Sequence, residues 1–237
     1  MRSFLLPLVL ALAGFCQAQI DPFDYHCSEV ILLQAKPVQA ELGISEAQRK
    51  KMNDAADTHR VRLTTYDAQQ RSAKTKDSRD VMNTKLRGFF DELKQGVFTA
   101  LTPAQLKRLR ELSLQRAGLL ALLDDIVAKK IGLTGAPYEK FRKTFSDGAK
   151  QASDVERANL KPIFDKYEPR MKAAKTPDDR KKIETEMRPE LDSAGKKITP
   201  QIQKLQADTQ QKLVGMLSAQ QKAAWQALLG KPFNPSK

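Results

Sequence analysis

The sequence predicts an all-α protein: two long antiparallel helical hairpins, elongated, with coiled-coil-like seams, produced by an internal duplication. Three observations predict it. A helix-start phrase recurs along the chain, apolar residues step by three and four with no alternating β-branched run, and two stretches match at a constant offset.

The phrase is Ile44-Ser45-Glu46-Ala47-Gln48, Leu101-Thr102-Pro103-Ala104-Gln105 and Leu217-Ser218-Ala219-Gln220-Gln221, with a worn copy at Leu133-Thr134-Gly135-Ala136-Pro137. A Ser or Thr hydroxyl accepts an orphan N–H of the first helical turn, and a Gln three residues on reaches back to the cap's own N–H. Ser45, Gln48, Thr102, Gln105, Thr134, Ser218 and Gln221 are therefore predicted helix caps. Leu101 and Leu106 occupy the staple positions, and Pro103 stands at the first helical residue, where its missing N–H costs nothing.

Leu42-Gly43-Ile44-Ser45 aligns with Ile131-Gly132-Leu133-Thr134, an offset of 89 (131 − 42), and the same offset puts Val38 on Val127 and Met52 on Phe141. Thr75-Lys76-Asp77 and Thr176-Pro177-Asp178 read as turn-and-cap signals in the middle of each half. From Ser45 to Thr75 is 30 residues and from Thr75 to Thr102 is 27, whereas Thr134 to Thr176 and Thr176 to Ser218 are both 42. Paired arms must match in length or one seam is left in water. The chain is accordingly divided into residues 1–18, a signal peptide, 19–123, a first hairpin unit, and 124–237, a second hairpin unit about three turns longer with a C-terminal tail.

Met52, Ala56, His59, Leu63, Tyr66, Gln70 and Ala73 keep the 4-3 spacing of a coiled-coil seam in the first arm, answered by Met82, Leu86, Phe89 and Leu93 in the return arm. The last long arm steps 4-4-3 through Ile183, Met187, Leu191, Ala194, Ile198, Ile202, Leu205, Thr209, Leu213 and Met216, an eleven-residue repeat. Pro162, Pro169, Pro189 and Pro200 either kink these arms into a curve or interrupt them.

Arg2, the apolar run Phe4 to Leu12 and the small-residue end before Ala18 and Gln19 predict export, with cleavage between Ala18 and Gln19. Cys27 is then the one mature cysteine, half-buried or paired between chains. A composition 41% apolar but 6% aromatic and 29% charged suits helices with narrow seams. The net charge of +13 favours acidic partners, although acids are interleaved with most basic runs. Nucleic acid is not an expected partner, because a groove-reading helix wants dense cations without such acids. The catalytic inventory is thin. His59 falls on the seam as a hydrogen-bonded interior imidazole, and there is no phosphate loop, paired-histidine metal motif or nucleophile elbow. No enzymatic activity, cofactor, metal or transmembrane segment is expected.

The capping phrase before long amphipathic helices, behind an export signal, resembles the LTxxQ-motif family of exported helical proteins, which includes the Spy- and CpxP-like periplasmic chaperones. Leu101 to Gln105 is the full match, Ile44 to Gln48 and Leu217 to Gln221 are close variants, and Pro137 replaces the Gln in the remaining copy. The resemblance implies a periplasmic or secreted, ATP-independent, chaperone-like holdase for non-native or envelope proteins, with a basic concave face. This chain carries two hairpin units where those chaperones carry one per subunit, so either a monomeric pseudo-dimer or a homodimer is expected. A client-binding face is expected at Phe164, Tyr167, Arg170, Met171, Lys172, Arg188, Lys196, Lys197 and Lys204. The alternative reading is a structural or adaptor protein of the cell envelope that binds an acidic polymer or a protein partner.

Overall fold

The computed structural model describes residues 20–72 and 76–234, with side chains throughout except at 67–72, 76–79, 82 and 83. The cleavage pair Ala18 and Gln19, the turn at Thr75 and the seam side chains of Gln70, Ala73 and Met82 lie outside what is described. The chain is all-α, and no strand occurs among the described residues. Its helices are α1 (Pro22–Cys27), α2 (Lys36–Glu41), α3 (Glu46–Ser72), α4 (Lys76–Phe98), α5 (Pro103–Ala117), α6 (Asp125–Lys130), α7 (Gly135–Ala173), α8 (Pro177–Met216) and α9 (Ala219–Leu229). Short 3-10 turns at Val30–Gln34 and Gly118–Leu123 precede α2 and α6. The chain forms two compact units. One runs to Ser113 and includes Phe233; the other is Leu114–Pro232. The division falls inside α5, earlier than the 123/124 boundary read from the sequence.

The same local structure recurs 89 residues on. Gly43 and Gly132 take φ of 59° and 75°, the left-handed conformation that ends a helix without a Cβ penalty. Ile44 N–H donates to Gln39 O and Leu133 N–H to Ala128 O, at 3.0 and 2.9 Å, closing the same C-terminal motif on α2 and on α6.

In the first unit α3 and α4 form a hairpin of 27- and 23-residue arms. The buried core at its root holds Leu33, Leu42, Met52, Phe98, Leu106 and Leu109, with Phe233 packed against it. The lead-in is fastened by polar contacts. Arg110 Nε meets Asp24 Oδ1 at 3.0 Å, Lys94 Nζ donates to the His26 carbonyl at 3.0 Å, and Glu29 N–H donates to Ser113 Oγ at 2.9 Å. Cys27, half-buried, ends α1.

The second unit pairs α7 and α8, of 39 and 40 residues, joined by a short turn before Thr176. Thr176 Oγ1 accepts from Asp179 N–H at 3.1 Å while Asp179 Oδ2 accepts from Thr176 N–H at 3.2 Å, so the turn predicted there is a capping box. At about 1.5 Å per residue these arms extend close to 60 Å, against about 40 Å for α3. All ten predicted seam positions of α8 are buried or half-buried. The four prolines lie within uninterrupted helices, so they do not shorten the arms. All four are exposed, and water can satisfy the carbonyls they leave without an intrahelical partner.

Two seam readings need correction in α3. Ala56 is exposed and Ala55 takes its place, packing against the core and sitting so that a Cβ on Gly96 would be 3.3 Å away. His59 is buried, 8% exposed, but its Nδ1 has no protein hydrogen-bond partner. The strict 4-3 pattern fails because α4 comes close to α3 at Gly96, which faces Ala55 and not Ala56.

Candidate functional site

The capping phrases do more than start helices. Ser45 and Gln48 exchange reciprocal hydrogen bonds at 3.0 and 3.2 Å, and Thr102 and Gln105 do the same at 2.9 and 3.2 Å. The two glutamines also reach each other. Gln48 Nε2 donates to Gln105 Oε1 at 2.7 Å and to Ala100 O at 2.8 Å, while Gln105 Nε2 donates to Leu42 O at 3.0 Å and to Gln48 Oε1 at 3.2 Å. A single amide thus caps its own helix through oxygen and ties a neighbouring helix end through nitrogen. The phrase is a tertiary clamp at the root of the first hairpin.

The second unit keeps half of it. Ser218 and Gln221 form a capping box, and Gln221 Nε2 donates to Gly132 O at 3.0 Å, matching the bond of Gln105 toward Leu42 and Gly43. Thr134 occupies the N-cap position of α7, but its side chain makes no capping hydrogen bond. Pro137, three residues on, has no N–H to offer, so the donor that Gln48 and Gln105 supply in the first unit is missing here. The cap predicted at Thr134 is therefore positional only, and the reciprocal amide pair has no counterpart there.

Beside each clamp lies a cleft between the 3-10 turn and the two hairpin arms. Val30, Ala56, Leu93 and Val97 line the first, and their equivalents Leu119, Phe145, Thr209 and Leu213 line the second. The second measures about 480 Å³ and has no charged side chain in its wall, only Gln206, Thr209 and Gln210 as polar groups. It is floored by Gly148, Ala149 and Ala152, with Gly148 so close to α8 that a Cβ there would meet Thr209 Oγ1 at 2.3 Å. The first measures about 700 Å³ and continues along α2 to Lys36, Gln39 and Arg49. Both volumes fall in the range of small-ligand and side-chain pockets, roughly 300–1,000 Å³. Next to each cleft a large apolar side chain faces solvent at the same position of the 3-10 turn, Ile31 at 52% and Leu120 at 54% exposure.

The predicted client face does not form one surface. Tyr167 is buried in the α7–α8 seam, 5% exposed, because its ring fills a core position and its hydroxyl donates to Glu190 Oε1 at 2.7 Å. That bond pushes the Tyr167 hydroxyl pKa up, and burial adds to the rise. Lys166 Nζ, 2.6 Å from the same carboxylate, and then the Tyr167 hydroxyl hold Glu190 below the usual carboxylate range. Arg170 pairs with Glu186 at 2.6 Å, which lowers the Glu186 pKa, and Lys172 pairs with Glu168 at 2.7 Å. Met171 is half-buried. Phe164, Arg188, Lys196, Lys197 and Lys204 are exposed, and none of these four cations is ion-paired. Sixteen residues separate Arg188 from Lys204, so at 100° per residue they point about 160° apart around α8.

Among the described residues no group of three or more His, Cys, Asp and Glu side chains is placed to hold a metal ion. No helix among them is long and apolar enough to cross a membrane. The chain matches no protein-family model, no curated protein and no solved structure. The clamp, the paired clefts and the closed end of the second one were not read from the sequence. The signal was present in the mismatches at the 89-residue offset, where Gln48 faces Pro137 and Arg49 faces Tyr138.

Proposed function

We propose that this chain is an exported, non-enzymatic binding protein that shields apolar segments of other proteins, a chaperone-like holdase of the LTxxQ type. The observation that carries this reading is the pair Ile31 and Leu120. Single exposed apolar residues are ordinary, but these two stand at the same position of two repeated turns, each beside an open cleft, so exposure recurs with the fold. Apolar floors edged by neutral amides, as at Gln206 and Gln210, suit weak and interchangeable contacts with an apolar side chain and its backbone. With two hairpin units in one chain, the functional species is a monomer that stands in for a dimer.

The test is light scattering from an unfolding client mixed with the mature chain. Suppression at equimolar chain, insensitive to salt and lost in the Ile31→Gln/Leu120→Gln double variant, is the expected result. No suppression by the unaltered chain refutes the reading.

The unpaired cations of α8 favour a second reading, an envelope adaptor that binds an acidic polymer. Retention on an anionic polymer column that falls steeply as salt rises supports it, since each neutralised anion releases a counterion. Cations pointing to different sides of α8 suit a flexible polyanion better than a flat one.

A further inference from the structure

The two root clefts share a scaffold but differ at one end, and the difference is chemical. In the second unit Tyr138 follows the cap position, is 9% exposed, and donates its hydroxyl to Leu123 O at 2.7 Å. Phe141 lies fully buried one turn later. Neither lines the second cleft, which stops short of them. In the first unit the equivalent residues are Arg49 and Met52, and the cleft runs on past both. The fold therefore has a way to close this space, and the first unit does not use it.

What replaces the closure is positive charge over an apolar floor. Val30, Leu33, Ile44, Met52, Leu93 and Val97 supply the apolar wall. Lys36 and Arg49 are the charged residues of the lining, which contains no Asp or Glu. Lys36 is exposed and not ion-paired. Arg49 pairs through Nη1 with Glu46 at 2.7 Å, but its Nε is buried and has no hydrogen-bond partner. A buried N–H on a guanidinium left unmatched is unfavourable, since it has given up water without gaining a partner. Nε is out of reach of water where the side chain stands, so a carboxylate meets the Arg49 guanidinium from the cleft and takes up Nε only if the side chain turns. At the position of Lys36 the second unit has Asp125, already paired with Lys129 at 2.8 Å.

We propose that the first cleft binds a single-chain anionic amphiphile, a long-chain carboxylate, with its tail along the Leu33–Leu93 floor and its headgroup on the Arg49 guanidinium and Lys36. The cleft wall holds two cations and no acid, Glu46 meeting Arg49 from outside the lining, while the equivalent space in the second unit is sealed by Tyr138. This site does not depend on the protein-holding reading, which concerns uncharged apolar segments and is judged by scattering.

Calorimetric titration of the mature chain with dodecanoate, below the concentration at which it forms micelles, and separately with dodecanol, below its solubility limit, tests it. The expected result is one saturable carboxylate site per chain, with the alcohol at least about tenfold weaker. Arg49→Gln should weaken carboxylate binding about 10- to 100-fold, the range for a hydrogen bond to a charged group. Arg49→Tyr, which copies the sealed second unit, should abolish it, and Tyr138→Phe should leave it unchanged. Helical circular dichroism must match the parent for each variant, and Lys36→Gln provides a second headgroup variant remote from the clamp. Equal binding of acid and alcohol, unchanged binding in both headgroup variants, or displacement of dodecanoate by an uncharged apolar peptide at similar affinity would each overturn the proposal.

Discussion

Replacing Gln105 by Glu separates helix capping from tertiary clamping. Glu is as good as Gln at the third position of a capping box, so the bond from Thr102 N–H is retained, and a negative charge in the first turn adds about 0.3–1 kcal/mol of favourable dipole interaction. What the substitution removes is the Nε2 donor. Leu42 O then loses its 3.0 Å partner and faces a carboxylate oxygen, and the 3.2 Å bond to Gln48 Oε1 is lost as well. Orphaning one partly buried acceptor costs about 1–3 kcal/mol, so the expected net change is a loss of about 1–2 kcal/mol in the first unit. With m-values of about 1–3 kcal/mol per molar urea, the midpoint of the first unit's transition should fall by about 1 M. Urea melts followed by far-UV circular dichroism measure it, while fluorescence of Trp225, the single tryptophan and buried in the second unit, tracks the other transition. A cycle of Gln48→Ala and Gln105→Ala should show coupling above the roughly 0.3–0.5 kcal/mol expected of independent sites. If Gln105→Glu is as stable as the parent and the cycle is additive, the phrase is only a cap and the clamp reasoning is wrong.

Gln221→Glu should lower the Trp225 transition by the same mechanism but a smaller amount, since one tertiary bond is lost there, the one to Gly132 O at 3.0 Å. Gly148→Ala places a Cβ 2.3 Å from Thr209 Oγ1 and 2.7 Å from its Cγ2, so a loss of about 1–3 kcal/mol is expected, with Thr209→Ala restoring part of it in the same melts. His59→Leu should be neutral or stabilising by about 1 kcal/mol, because it removes a buried imidazole nitrogen that no protein group satisfies; clear destabilisation would show that the nitrogen is solvated or bonded in solution. The Glu190 carboxyl is depressed in the folded state, so its stabilising contribution is full above the ordinary carboxylate pKa and is lost as pH falls through the depressed folded value. Glu190→Gln should therefore flatten the acid limb of stability against pH below about 4.5; an unchanged limb would remove this cluster from the account.

How far the sequence reads depends on how local each feature is. The seam of α8 was legible residue by residue, from Ile183 to Met216, because a helix repeats its own geometry every few residues and the apolar set must follow it. The caps at Ser45, Thr102, Thr176 and Ser218 were legible for the same reason, since each links atoms three residues apart. Thr134 failed on a local detail, the absent N–H of Pro137. Ala56 failed on a distant one, the approach of Gly96 to Ala55. Tyr167 reads equally well as a surface aromatic or a seam residue until the opposite arm supplies Glu190.

The sequence by itself determined an all-α chain, the matched arms of its second hairpin and the capped starts of α3, α5, α8 and α9, because these follow from spacing within one rod and from hydrogen bonds within one turn. Only the tertiary structure decided that Gln48 and Gln105, 57 residues apart, share an amide pair, and that Arg49 leaves open a space that Tyr138 seals in the other unit. Those outcomes depend on what stands across the fold from each residue, and no periodicity along a helix carries that information.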